Sequence, residues 1–350
     1  MKRRFLNVSK SKSQRNSRGQ VSMRMLVAGG AGYIGSNMTA MLVAEGFEPI
    51  VYDNLSRGHK AAIVKNAKFV EGDLGDYELL VGTLKKYEVE AVMHFAALIE
   101  VGESTEQPLR YYRNNVSNTQ NLLSAMEAAG VGKFVFSSSA AVYGMPEQIP
   151  ITEDTPKSPI NPYGETKWAV ERMCYYQSRT GRLRYAALRY FNAAGAGDKG
   201  RLGEDHRPES HLIPLVIAAA RGKRSDVKIF GTDYPTADGT CVRDYIHIED
   251  LCRAHLLALE KLNERAELVY NLGNGKGYSV REVIDTVKRI SGRDFKVVET
   301  GRRPGDPPVL TADAARAKRE LGWETKFPEL EQIVATAWEW HNNHPDGYRD

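Results

Sequence analysis

Cysteine is scarce in this chain. There are three in 350 residues, at Cys174, Cys241 and Cys252, with no spacing that suits a metal or a redox pair. That argues against a disulfide framework and for a reducing, cytoplasmic setting in which the thiols are simply buried. Long apolar runs are missing too; none approaches the roughly 18 residues of a membrane helix, so no membrane span or membrane partner is expected. No internal repeat is evident. Acidic residues are absent from residues 1–22, which hold seven basic ones (Lys2, Arg3, Arg4, Lys10, Lys12, Arg15, Arg18). Removing them from the net charge of +4 leaves 4 − 7 = −3, so the basic balance is local and no nucleic-acid partner is expected. The same stretch is rich in Ser and Asn and lacks the apolar segment of a secretory signal. It reads as a disordered basic extension, with folding beginning near Met23. The remainder is large enough for one big domain or two smaller ones with a real core.

What is present begins with a short apolar strand, Arg24–Ala28, followed by Gly29-Gly-Ala-Gly32-Tyr-Ile-Gly35 and a helical stretch, Ser36–Ala44. Strand, glycine turn and helix together are the context of a dinucleotide fingerprint. Without Cβ atoms at Gly29, Gly32 and Gly35 the turn can be tight and the backbone can approach a pyrophosphate. The helix N-terminus then offers N–H groups and a positive dipole end. A second strand, Glu48–Tyr52, ends at Asp53, 18 residues after Gly35. A carboxylate there accepts from a ribose 2′-hydroxyl and repels a 2′-phosphate, which selects NAD over NADP.

Further along, Tyr163 and Lys167 stand four residues apart in Asn161-Pro-Tyr-Gly-Glu-Thr-Lys167, behind Ser137-Ser-Ser139. Residues i and i+4 share a helix face. A phenol beside an ammonium can act as one acid/base unit, because the cation favours the phenolate. With 17 Tyr and 20 Lys in the chain, about one such pair is expected by chance, so the pair needs its surroundings to give it meaning.

Strands at 67–71, 91–95, 133–137 and 185–190 alternate with helices at 77–87, 108–130 and 163–180. That alternation implies an α/β fold, a Rossmann-type doubly wound parallel sheet, with ligands beyond the carboxyl ends of the strands. Asp53, Asp73, Ala96-Ala97, Ser139 and Phe191 all follow strand ends and should converge on one crevice. From about residue 192 the pattern loosens into loops and short elements, which reads as a smaller α/β substrate-binding lobe. The expected division is therefore 1–22 extension, 23–191 NAD-binding domain, and 192–350 mainly substrate lobe, with segments free to return to the first domain. Ser137 and Ser138 read as turn or cap residues, His94 as a packed strand histidine, and Tyr143 as core. No metal ligand set is read from the sequence; His341 and His344 lack a shell.

Together these residues resemble the extended short-chain dehydrogenase/reductase family, and within it the UDP-glucose (UDP-galactose) 4-epimerases. The resemblance rests on the glycine turn, Tyr52-Asp-Asn-Leu55, Gly72-Asp-Leu74, His94-Phe-Ala-Ala97, Phe136–Gly144, Pro162–Lys167 and Arg189–Gly195. It continues through His211-Leu-Ile-Pro214, Thr236–Ile246 and Arg302–Asp306. It implies a reaction in which Tyr163 takes the proton of the sugar 4-hydroxyl while hydride passes from C4 to NAD. The 4-ketose turns over, the hydride returns to its other face, and Tyr163 gives the proton back. Lys167 is implied to bond the nicotinamide ribose and, with the positive nicotinamide, to depress the Tyr163 pKa, and Ser139 to bond the reacting oxygen. Implied NAD contacts are Gly29, Gly32, Tyr33, Ile34, Gly35, Asp53, Asn54, Leu55, Ser56, Gly58, Asp73, Leu74, Phe95, Ala96, Ala97, Asn114, Lys167 and Phe191. Implied UDP-sugar contacts are Ser139, Tyr163, Asn192, His211, Leu212, Ile229, Phe230, Arg243, Arg303, Asp306 and Leu310. Family members commonly form homodimers through helices matching 108–130 and 163–180, so a homodimer is expected.

The chain departs from the family's pattern in three places. Ala141 replaces a Thr found in many members, and Ile99 replaces a Lys. Leu310 falls where residue size sets the room for the sugar, which leaves UDP-N-acetylhexosamine or UDP-pentose 4-epimerisation as the alternative. A sugar-nucleotide 4,6-dehydratase would need an acid and base beside Ser139, where this chain has Ala140-Ala141. An idle NAD-sensing module would not need the Tyr163/Lys167 pair.

Overall fold

The computed structural model describes residues 22–303 and 305–349. The expected extension, 1–22, lies outside the described residues except for Ser22, which is buried and donates its hydroxyl to the Gly46 carbonyl at 2.8 Å. In chain order the elements are β1 (Arg24–Ala28), α1 (Tyr33–Ala44), β2 (Glu48–Asp53), β3 (Lys68–Glu71), α2 (Tyr77–Lys86), β4 (Ala91–His94), α3 (Val101–Glu106), α4 (Pro108–Tyr111), α5 (Asn118–Ala129), β5 (Lys133–Ser139), α6 (Pro162–Arg179) and β6 (Arg184–Tyr190). They continue as β7 (Asn192–Ala194), α7 (Leu212–Ala220), β8 (Val227–Phe230), β9 (Val242–His247), α8 (Ile248–Lys261), β10 (Glu267–Leu272), β11 (Gly277–Ser279), α9 (Val280–Ser291), β12 (Val297–Thr300), β13 (Val309–Leu310), α10 (Ala315–Leu321) and α11 (Leu330–Asn343).

Seven strands pair in parallel in the order β10-β6-β5-β4-β1-β2-β3. Their apolar runs suit burial on both faces. Met25 and Val27 of β1 pack on one side with α1 and α8, and Leu26 and Ala28 on the other with α2, α5 and α6. The strand order reverses beside β1, which opens a crevice at the carboxyl ends of β1 and β4. The smaller lobe gathers around β9, which pairs in parallel with β7 and β13 and antiparallel with β11; its core lies among α7, α9 and α11. Two late segments belong to the larger layer. Strand β10 extends the sheet beside β6, and α8 packs Leu251 and Leu259 into the core that holds Met38 and Leu42 of α1. No helix among the described residues is long and apolar enough to cross a membrane.

Two local expectations are corrected. The helix expected over 108–130 is interrupted by a wider π-type stretch, Tyr112–Ser117, between α4 and α5. Within it the Asn115 side chain turns inward to hold Leu98, 17 residues earlier, through both backbone groups, accepting from its N–H at 2.9 Å and donating to its carbonyl at 3.0 Å. Ser137 and Ser138 are not turn residues. Both are buried in β5, where Ser138 donates to Glu171 at 2.5 Å and Ser137 bonds the Tyr190 hydroxyl.

Candidate active site

A cleft of about 470 Å³ runs along the carboxyl ends of the sheet. The glycine turn, Asp53, Asp73, Leu74, Phe95–Ala97, Asn114, Ser139, Tyr163, Lys167, Phe191, Asn192, His211, Arg243, Asp306 and Leu310 line it, with Tyr33, Ile34, Asn54, Ser56 and Gly58. Ile99 and Ala141, the two departures near the cofactor and sugar, line it as well. Leu55, Leu212, Ile229, Phe230 and Arg303 lie outside that lining; Ile229 is buried in β8, and the Arg303 guanidinium stacks 3.9 Å from the Phe230 ring centre.

At one end the geometry fits a dinucleotide. Gly29 has φ +78°, and a Cβ there would come within 2.5 Å of the Ala96 nitrogen, so β1 and the loop after β4 can meet only at glycine. No side chain caps α1 at Gly32, which leaves the helix N-terminus to a ligand. The Asp53 carboxylate accepts from the Ala31 N–H at 2.9 Å and the Leu55 N–H at 2.8 Å. It therefore braces the turn as well as facing the cleft. Burial pushes its pKa up, and those two N–H bonds and His59 pull it back. The Tyr33 hydroxyl crosses to the second lobe and donates to the Gly195 carbonyl at 2.7 Å. Asn54 donates to the Asp73 carboxylate at 2.6 Å, tying the ends of β2 and β3.

In the middle, α6 delivers Tyr163 and Lys167. Asn161 caps the helix by accepting from the Gly164 N–H at 2.9 Å, and Pro162 starts it. A Cβ on Gly164 would stand 2.5 Å from the Ala141 carbonyl, so glycine lets α6 approach the turn that follows Ser139. Burial pushes the Tyr163 phenol up, and a hydrogen bond with Ser139 holds it down. The Lys167 amine donates to the Ser137 carbonyl at 2.7 Å and lies 5.8 Å from the Tyr163 ring centre. Its own burial lowers its pKa to about 7, against an upward pull from Glu171. The downward influence on Tyr163 within this chain is the Ser139 hydrogen bond.

Behind this pair lies a buried network that the sequence reading missed. Arg189 of β6 grips Glu171 of α6 through two hydrogen bonds, 2.9 and 2.5 Å, and both side chains are almost fully enclosed. Glu171 stands four residues after Lys167, a signal visible in the sequence, but its partner comes from another strand. At the far end Arg243 of β9 pairs with Asp306. Arg243 is opposite Leu310 in the β9–β13 register. Glu204, His206 and Arg207 also line the cleft without having been anticipated.

Comparison with known proteins settles what this architecture is. Residues 25–273 match the NAD dependent epimerase/dehydratase family. The chain belongs to that family. It is 50% identical over 327 residues to the UDP-glucose 4-epimerase of Halalkalibacterium halodurans, covering 93% of this chain and 98% of the relative. It superposes on the crystal structure of a UDP-glucose 4-epimerase with a TM-score of 0.92 and 48% identity, covering 93% and 100% of the two chains. It is also similar to the Brucella ovis UDP-glucose 4-epimerase solved in complex with NAD, with a TM-score of 0.88, 48% identity and coverage of 91% and 98%. As in the family at large, the cofactor is NAD, which the glycine turn, the uncapped helix α1 and Asp53 fit.

Proposed function

We propose that this chain interconverts UDP-glucose and UDP-galactose through a 4-keto sugar, with NAD held throughout. The observation that carries the reading is one continuous cleft that sets Tyr163, Ser139 and Lys167 between a dinucleotide turn and the Arg243–Asp306 pair. The relatives of highest similarity quoted above are UDP-glucose 4-epimerases, which supports the hexose over the N-acetylhexosamine or pentose alternative. When bound at the glycine turn and Asp53, NAD would supply the acceptor and then the donor of the C4 hydride. Tyr163 removes the 4-hydroxyl proton and later restores it, so the proton moves between the sugar oxygen and the phenol oxygen. Ser139 holds the phenol and the reacting oxygen together. Lys167 fixes the end of β5 through the Ser137 carbonyl. Arg243, paired to Asp306, faces the anionic diphosphate, where a guanidinium can bond two oxygens at once. Leu310 beside it limits the room for the sugar.

A homodimer completes the reading. Leu109 and Tyr112 near α4 and Tyr176 on α6 are large apolar side chains left exposed on the outer helices. A cytoplasmic location suits three buried, unpaired thiols. The decisive assay is conversion of UDP-glucose to UDP-galactose by purified protein without added cofactor, run beside UDP-N-acetylglucosamine and a UDP-pentose. Absence of hexose conversion by protein that carries NAD would overturn the reading.

A further inference from the structure

Between β7 and α7 the chain runs Glu204-Asp-His-Arg-Pro-Glu-Ser-His211. Four of these side chains converge. Nδ1 of His211 lies 2.8 Å from Glu204 Oε1 and 3.0 Å from Glu209 Oε1. Nδ1 of His206 lies 3.2 Å from Glu204 Oε1 and 3.6 Å from Glu209 Oε2. One donor atom from each residue fits within 4.8 Å of all the others. A tetrahedral cation with bonds of about 2.0–2.1 Å to nitrogen and oxygen keeps its donors about 3.3 Å apart. The four histidine–carboxylate separations, 2.8 to 3.6 Å, bracket that spacing, with Glu209 presenting Oε1 to His211 and Oε2 to His206. We propose that Glu204, His206, Glu209 and His211 form a binding site for one divalent transition-metal ion of the Zn2+ class.

Three further features support a built site. Nδ1 of His206 is shut off from solvent and faces both carboxylates, Glu204 at 3.2 Å and Glu209 at 3.6 Å, without the alignment of a hydrogen bond. Glu204 is buried, and two neighbouring carboxylates call for two positive charges. Two imidazolium protons supply them, and one divalent cation supplies the same charge from a single point. Finally, the loop is pinned independently of the four donors. Asp205 accepts from the Tyr348 N–H at 3.0 Å, its carbonyl meets His59 Nε2 at 2.9 Å, and the Gly203 N–H donates to the Tyr348 hydroxyl at 3.0 Å. Arg57 also donates to the Arg207 carbonyl at 2.9 Å. The donors are thus held together by structure that an arriving ion need not assemble. Two imidazoles argue against Mg2+ or Ca2+, which prefer all-oxygen shells.

The test uses the whole protein, stripped with a chelator and titrated with cobalt chloride. The expected result is one equivalent of Co2+ per chain with the intense visible absorption of four-coordinate cobalt, lost on adding zinc chloride. His206→Gln and Glu209→Gln should each weaken Co2+ binding at least about tenfold while leaving the circular dichroism of the fold intact. A wild-type titration without four-coordinate absorption overturns the site, and so does unchanged affinity in a folded variant. Should one variant fail to fold, the wild-type spectrum and the other variant decide.

Discussion

The roles proposed for Tyr163, Ser139 and Lys167 can each be measured separately. Tyr163→Phe removes the group proposed to carry the proton and should lower turnover by about 10²- to 10⁴-fold while the protein still retains NAD. Turnover near wild type would remove Tyr163 from its role. Burial raises the Tyr163 pKa and the Ser139 hydrogen bond opposes it, so in Ser139→Ala the acid limb of the kcat–pH profile should move to still higher pH. An unmoved limb would show that the hydrogen bond does not reach the titrating group. Lys167 is read out through stability. Its folded pKa, about 7, lies below the ordinary lysine value. Between the two, the unfolded chain binds the extra proton, so stability rises with pH from about 7 toward 10, and the cost of burying the ammonium is fully present below 7. Urea unfolding across that range should show wild type gaining on Lys167→Met by an amount on the order of a few kcal/mol. A constant difference would refute the depressed value.

At the scale of elements, β5 and α6 are locked from behind by a buried ion pair. Glu171 on α6 accepts from Ser138 on β5 and from Arg189 on β6, so one carboxylate joins the elements that present Ser139, Tyr163 and Lys167. Removing one partner of an enclosed pair leaves an uncompensated charge, which typically costs about 3–5 kcal/mol. Glu171→Gln should therefore lower the unfolding free energy measured in urea by that order, and a loss under about 1 kcal/mol would mean that water relieves Arg189. The elements themselves were largely legible in the sequence. Apolar runs such as Arg24–Ala28 and Ala91–His94 can scarcely be anything but buried strands, and the caps Asn161 and Pro162 mark where α6 starts. The π-type stretch at Tyr112–Ser117 was not, because the Asn115 side chain within it reaches Leu98, 17 residues earlier, and nothing in the local periodicity records that contact. Nor was the company kept by Ser137 and Ser138. Three serines after an apolar strand look like a turn until Glu171 and Tyr190 arrive to satisfy them.

For the whole molecule, the sequence separated the glycine-turn half from the looser half, and the fold interleaves them. Glu267–Leu272 would suit either sheet; only its pairing with β6 places it in the larger one. The cleft is likewise a joint product, since Tyr33 reaches Gly195, and Arg57 reaches Arg207. One surface is left unexplained by this packing. Leu109 is 82% exposed and Tyr176 62% exposed, and burying such side chains is worth about 1.5–3 kcal/mol each. In a two-fold dimer each is buried twice, because the same patch serves both subunits. Loss of two such contacts per chain, with a carboxylate desolvated in their place, exceeds what a standard interface can absorb. The double variant Leu109→Glu/Tyr176→Glu should then sediment as single chains at concentrations where wild type sediments as pairs, with its far-ultraviolet circular dichroism unchanged. Both proteins sedimenting as pairs would place the interface on another face, and both as single chains would show that α4 and α6 serve no self-association at all.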